Sequence, residues 1–578
     1  MNSWSRRGCF LCVLCASVVN ALSLDREAFT FTNYDLEIQI EPNQHRLGAR
    51  GTITLRNDSS SPQKIAVLQI SSSLDWRSIK AGDKPLQFVA QPYTSDIDHT
   101  GALSEAIVTL PDPVAPKSTI ELDIAYEGVI LLDVTRLTRI GAPEAQATSS
   151  DWDQISAKFT AVRGAGYVAW YPMATEVANL SEGDSLFEVL GRWKAREAAS
   201  RMEVSFTTPT VPGDVTPAVK LCGPNGVHGV TREGSPKFPS SQCSYQPLGL
   251  SVPAFVVANY GVVDRPTITV YHLPEHAVAA EAYADAAEKT SAVVTEWFGA
   301  SRRKAETADL GDPSVAPFES GSLLLTPLTP DSKLAGLIAA HQMAHASLSS
   351  PRPWIDEGLA HIAQALYLEH EKGRQAALDY MGLHRSAFTE VEKRNASTPK
   401  SEDEVNRSLV STTSEELYRS KAMYVWWMLR DMLGESALKK AFASYHPEQD
   451  KEPSYMPRLI AAQTQRDLQW FFDDWVYRDR GLPDFKVESA FPRKTMTDTY
   501  MVTLTVDNLG AAGAEVPVTV KFAGGELTKR LEVRGKNKGV IRVEVPSAPQ
   551  EIVVNDGSVP ESDTTNNTFK LEAADTSK

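Results

Sequence analysis

Cysteine is scarce. The 578 residues hold five, and Cys9, Cys12 and Cys15 all fall near the start. That leaves Cys222 and Cys243, too few for a disulfide framework of the kind that holds small secreted domains together. Long apolar runs are also missing. Beyond the first twenty or so residues no stretch reaches the roughly 20 residues a bilayer requires. Basic excess is absent too: the net charge is −15, which argues against nucleic acid and against binding to anionic membranes by charge. No internal repeat is visible, so a solenoid is not expected.

What is present begins with a leader. Arg6 and Arg7 precede a short apolar stretch, Phe10 to Val19, and Val19-Asn20-Ala21 reads as a small-residue cleavage site. This predicts a signal peptide over 1–21 and an exported chain, periplasmic or secreted. An uncleaved anchor is the alternative. Leu11 and Leu14 stand before Cys12 and Cys15, where a lipoprotein signal places a small residue. In an exported chain, Cys222 and Cys243 are expected to pair across a Gly/Pro/Ser-rich loop.

Composition is globular, 42% hydrophobic and 23% charged, and the length suggests three or four domains. From Phe29 to about Thr269, apolar and polar residues alternate, as in Tyr34, Leu36, Ile38 and Ile40, or Ile120, Leu122 and Ile124. Period-two alternation predicts half-buried antiparallel strands. Helical patterns then dominate to about Arg480: His276 to Phe298, Ser332 to Leu348, Ile355 to Glu371, Glu415 to Tyr445 and Met456 to Tyr477. Phe318 to Leu325 interrupts them as an edge strand, and Thr389 to Ser414 reads as a polar loop or lid. After Pro483 strands return in a small sandwich with turns at Asn508-Leu509-Gly510 and Asn555-Asp556-Gly557. The tail past Glu561 is polar and expected to be disordered.

The chemistry concentrates in His341-Gln342-Met343-Ala344-His345, followed by Trp354-Ile355-Asp356-Glu357-Gly358. Histidines four apart project from one helix face, the geometry for two imidazoles on one zinc ion. Glu357, opening a second helix, is the third expected ligand, leaving a position open for water or a carbonyl. Asp356 and His361 are either outer-shell partners or solvated helix residues. The pattern differs from the H-E-x-x-H zinc-peptidase motif by one letter: Gln342 stands where the general-base glutamate belongs. A glutamine hydrogen-bonds water but cannot accept its proton, a deficit of roughly 10²–10⁴-fold.

These residues resemble the gluzincin peptidases of the membrane alanyl aminopeptidase family. Tyr34-Asp35-Leu36, Gly51-Thr52-Ile53-Thr54-Leu55 and Asp467-Leu468-Gln469-Trp470-Phe471-Phe472 are similar to further family segments. The resemblance implies a multidomain α+β chain. A signal peptide (1–21) precedes an N-terminal antiparallel β domain (22–269) and a thermolysin-like, mainly α catalytic domain with one Zn2+ (270–482). An Ig-like β-sandwich (483–561) and a disordered tail (562–578) complete it.

The resemblance assigns further roles. Glu319, in Ala316-Pro317-Phe318-Glu319-Ser320-Gly321, matches the glutamate that grips a substrate's α-amine, although Phe318 and Ser320 replace the family's methionine and asparagine. The alternative is a surface carboxylate near a turn. Tyr418 resembles the tyrosine that hydrogen-bonds the oxyanion, one residue early relative to Lys421, which is in register in the same substrate-binding segment. The alternative is an exposed tyrosine in the first helical turn. The activity implied is a zinc metallopeptidase of aminopeptidase type acting on peptides or proteins, attenuated by Gln342. The alternative is an inactive zinc-containing peptide- or protein-binding relative.

Overall fold

A computed structural model describes residues 24–182, 185–208, 219–223, 227–230, 240–328, 331–397, 408–412 and 414–571. The expected leader over 1–21 lies outside them. The chain is multidomain, with an N-terminal β region, a central helical region built on a mixed sheet, and C-terminal strands. Among the described residues no helix is long and apolar enough to cross a membrane.

Alternation in the sequence becomes alternation of faces. In the strand Phe29–Glu41, Tyr34, Leu36, Ile38 and Ile40 are buried, while Asp35 and Gln39 face solvent. This strand pairs antiparallel with Arg46–Asn57 and parallel with Arg201–Thr207 inside an eight-stranded sheet. A three-stranded sheet (Gln63–Ser71, Phe88–Thr94, Ala102–Val114) shares its core. Cys222 and Cys243 form the expected disulfide. It ties the strand Val219–Cys222, in a second three-stranded sheet, to Ser240–Tyr245 at the side of the large one.

The central region opens earlier than residue 270. Strands Gly261–Asp264 and Ile268–His272 join Ala305–Asp309, Leu323–Thr326 and Phe318–Ser320 in a five-stranded sheet. The middle strands run parallel, and Phe318–Ser320 lies antiparallel at the edge. Against this sheet packs the helix Ala277–Phe298, and against that the helix Ser332–Ser347. Ala335, Ala339, Ala340 and Ala344 on the latter are buried, and small side chains let neighbouring helices come close.

Two helices follow in sequence, Pro353–Lys372 and Arg374–Ser397. The second takes in the start of the 389–414 segment expected as a loop. Residues 398–407 and 413 of that segment lie outside the described ones. The long helical pattern from 415 to 445 is divided at Gly434, whose φ of 81° ends the helix Ala422–Leu433 before Glu435–Ala443 begins.

C-terminal strands form a three-stranded and a four-stranded sheet. They bury Val502, Leu504 and Val506 together with Val516, Val518 and Val520. The tail expected to be disordered from 562 contributes the strand Thr568–Lys570, paired with Pro549–Val554. Phe569 supplies the reason, because it packs against the sandwich core.

Candidate metal centre

A tight turn creates the site. Ser332–Ser347 ends just before Pro351, and Pro353 starts the next helix at a position where its missing N–H costs nothing. Asp356 accepts a hydrogen bond from the Ser350 backbone N–H at 2.8 Å, and the Ser350 hydroxyl lies 2.7 Å from that of Tyr445. Arg352 is held by Asp450 at 2.6 Å. This folds the second helix back so that Glu357 comes within 4.0 Å of His341. Gly358 permits the fit: a Cβ there would sit 2.7 Å from the Ala422 Cβ and 2.9 Å from the Trp426 indole nitrogen. Trp354 and Trp426 stack at 4.9 Å, and the Trp426 N–H donates to the Trp354 carbonyl.

His341 is the hub. Its Nε2 lies 2.9 Å from Glu319 Oε2, 3.3 Å from His345 Nε2 and 4.0 Å from Glu357 Oε2. Donors bound to one ion at about 2.0–2.2 Å stand roughly 3 to 4.3 Å apart, from right angles to opposite positions. Each separation fits a pair of donors on one ion, although His345 and Glu357 fall in different close groups. Two overlapping triads result, Glu319–His341–His345 and His341–Glu357–His361, the ligand atoms of each within 4.8 Å of one another. His345 Nδ1 lies 3.5 Å from Asp356 Oδ2, a carboxylate–histidine contact that leaves Nε2 for an ion.

Charge points the same way. Glu319, Glu357 and Asp356 bring three negative charges and Arg419, 3.0 Å from Glu357, one positive. Lys194 and Glu415, 3.7 Å apart, cancel. Arg303, interacting with Asp356, adds a second positive charge, so with neutral imidazoles the cluster keeps an excess of one negative charge. Burial opposes a charge on His345, yet Asp356, Glu319 and Glu357 outweigh it and lift its pKa to about 10. The same pocket, through burial and then His341, holds His361 well below the usual histidine range. Burial also opposes a charge on Glu357, but Arg419 and the imidazoles keep it well below the usual carboxylate range. Among the described residues, Glu319 Oε1 and His361 Nδ1 are buried without a hydrogen-bond partner. Buried orphans of this kind are expensive unless something fills the space between them. The side chains present therefore fit a divalent metal ion.

Gln342 lies elsewhere. It is fully buried, and its Nε2 donates to the carbonyls of Ser322 (3.1 Å) and Glu306. Its Oε1 accepts from Thr307 at 2.9 Å and Tyr283 at 3.4 Å. The side chain at the general-base position is thus committed to the sheet beneath the helix, with both ends hydrogen-bonded.

Tyr418 sits in a π-turn, Glu416–Lys421. Such a turn accommodates one extra residue. Tyr418 is buried, and burial, followed by Glu415, pushes its hydroxyl well above the usual tyrosine range. The neighbouring Arg419, not singled out in the sequence, is the residue that reaches Glu357 and Glu415. Lys421 does not join the cluster. It is wholly buried between Glu392 and Asp479, and a group so enclosed offers no surface to a substrate. His361, expected from the sequence as an outer-shell partner, a solvated residue or an extra ligand, follows Glu357 by one helical turn and joins it in the group with His341.

No family model matches the chain, and no curated protein matches it.

Proposed function

We propose that this chain is an exported relative of the membrane alanyl aminopeptidases that binds one zinc ion and holds a peptide or protein partner without efficient hydrolysis. In this reading the central region is the thermolysin-like domain of that family and the C-terminal strands its Ig-like sandwich. The observation that carries the proposal is Gln342. A base must lie within hydrogen-bond reach of the proton it takes. Here the side chain is neutral and spends its hydrogen bonds on Ser322, Glu306, Thr307 and Tyr283.

Support for a peptide-like partner comes from the edge strand Phe318–Ser320. Among the described residues no strand pairs with its outer side, and an unpaired strand edge takes extended chains by strand addition. The N-terminal domain braces this edge. The Trp152 indole donates to the Ala316 carbonyl at 3.0 Å, and Tyr167 meets Phe318 edge-on at 5.4 Å.

The test combines metal analysis, calorimetry with short peptides, and aminoacyl reporter substrates on the full chain. Expected are one zinc per chain, peptide binding and no turnover. Steady turnover that zinc chelation abolishes would replace this reading with a slow zinc aminopeptidase. Failure to take up any divalent metal would remove both.

A further inference from the structure

We infer that the cluster offers one divalent ion two mutually exclusive positions that share His341, the first with Glu319 and His345, the second with Glu357 and His361. This rests on the metal-binding reading above and deepens it, because the zinc-peptidase pattern expects a single position made by His341, His345 and Glu357.

The close ligand atoms fall into two triads, Glu319–His341–His345 and His341–Glu357–His361. His345 and Glu357 share neither. The first triad joins the edge strand Phe318–Ser320 to the helix Ser332–Ser347. Within it His341 Nε2 lies 2.9 Å from Glu319 Oε2 and 3.3 Å from His345 Nε2. The second triad joins the same helix to Pro353–Lys372. Here His341 Nε2 lies 4.0 Å from Glu357 Oε2, and the His341 and His361 rings meet edge-on at 4.8 Å. Each set holds two imidazoles and one carboxylate, enough to bind zinc and leave a place for water.

Exclusivity follows from imidazole chemistry. A neutral ring has one nitrogen that accepts and one that carries a proton. His341 Nε2 approaches the carboxylates of both triads, so an ion bound to it in one triad denies it to the other.

Each position has its own support. Asp356 Oδ2 lies 3.5 Å from His345 Nδ1, which leaves Nε2 for the first. His384 packs edge-on against His361 at 5.4 Å, and its Nδ1 lies 3.3 Å from the Ser420 hydroxyl. That contact steadies the His361 ring for the second. With the ion in the first position His361 stays outside its shell, and His361 Nδ1 has no hydrogen-bond partner among the described residues. Only in the second position is the Glu319 carboxylate, on the edge strand, released from the ion.

The experiment uses the full chain with Zn2+, read by equilibrium titration and X-ray absorption. One ion per chain with two imidazoles is expected in the wild type, and again at saturating zinc in His345→Gln and in His361→Gln. Where the positions bind equally, either substitution weakens apparent affinity only about twofold, because half of the binding-competent states remain. His341→Gln touches both positions and should cost more than the roughly 10–100-fold that an outer-shell partner is worth. So should His345→Gln combined with His361→Gln. Glu319→Gln and Glu357→Gln repeat the comparison through the carboxylates if a histidine variant fails to fold: each alone should keep one ion, and both together should lose it. A single imidazole in either histidine variant would overturn the inference, and if only His345→Gln shows it the ion belongs to His341, His345 and Glu357. Two ions per wild-type chain, or three imidazoles around one, would overturn it too. If the wild type takes up no zinc, the metal-binding reading itself fails, a result distinct from the others.

Discussion

Gln342 Nε2 donates to the main-chain carbonyl of Ser322 at 3.1 Å. This contact fastens the helix carrying both histidines to the residue that opens the strand Leu323–Thr326. Carbonyl oxygens accept and never donate, so the position requires a donor. Glutamine supplies two N–H groups, for Ser322 and Glu306. Ionised glutamate supplies none.

Gln342→Glu therefore should not restore hydrolysis. A buried carboxylate facing two carbonyls repels both and must itself stay protonated or unsolvated, at a cost of about 2–4 kcal/mol. Urea midpoints at pH 5 and pH 8 measure this, with the larger loss expected at pH 8, where the carboxylate has to ionise. A gain in reporter turnover would show that the side chain is free to turn towards the metal.

Glu197 predicts a pH dependence in the N-terminal domain. It is fully buried, and burial outweighs Arg196 and the Phe31 amide to raise its pKa from 4.5 to about 7. Between those values the folded state keeps the proton while the unfolded state releases it. Stability is thus highest below the unfolded pKa and falls as pH rises through the folded one. Glu197→Gln should flatten that decline, a difference on the order of 3 kcal/mol between pH 5 and pH 8. Parallel pH profiles for the two proteins would refute it.

Gly358→Ala should damage both stability and metal binding. The added methyl meets Ala422 and Trp426 at 2.7 to 2.9 Å, and overpacking of this kind costs about 1–3 kcal/mol. Because Glu357 is the adjacent residue, metal affinity should fall with stability. Wild-type affinity in a fully folded Gly358→Ala protein would show that the two helices tolerate separation without moving the ligand.

Reducing the Cys222–Cys243 bridge should destabilise the N-terminal domain by roughly 3 kcal/mol. Metal binding should change little, since the ligands come from other elements. Thermal melts with and without reductant, followed by metal titration, test both parts.

Much of the architecture is legible in the residues. The alternation through Tyr34, Leu36, Ile38 and Ile40 announces a strand, and alanines with apolar neighbours announce the helix bearing His341 and His345. The spacing of those histidines places both on one face without reference to anything else in the chain. Local periodicity is a property of neighbouring residues, so it survives being read one residue at a time. The tail beyond 561 shows the limit: its polar composition conceals a strand that exists because Phe569 finds a core elsewhere to pack against.

The side-chain directions could not be read that way. Whether Gln342 faces the metal or the sheet depends on Ser322, Glu306 and Thr307, which lie 20 to 36 residues away in sequence. Lys421 looks like a surface cation in its own segment, and only Glu392 and Asp479 make it an interior one. Order along the chain set the helix, its histidines and the strand beneath them. Folding, by satisfying buried donors and acceptors across distant segments, chose which of those groups meet in the candidate metal cluster and which are held apart from it.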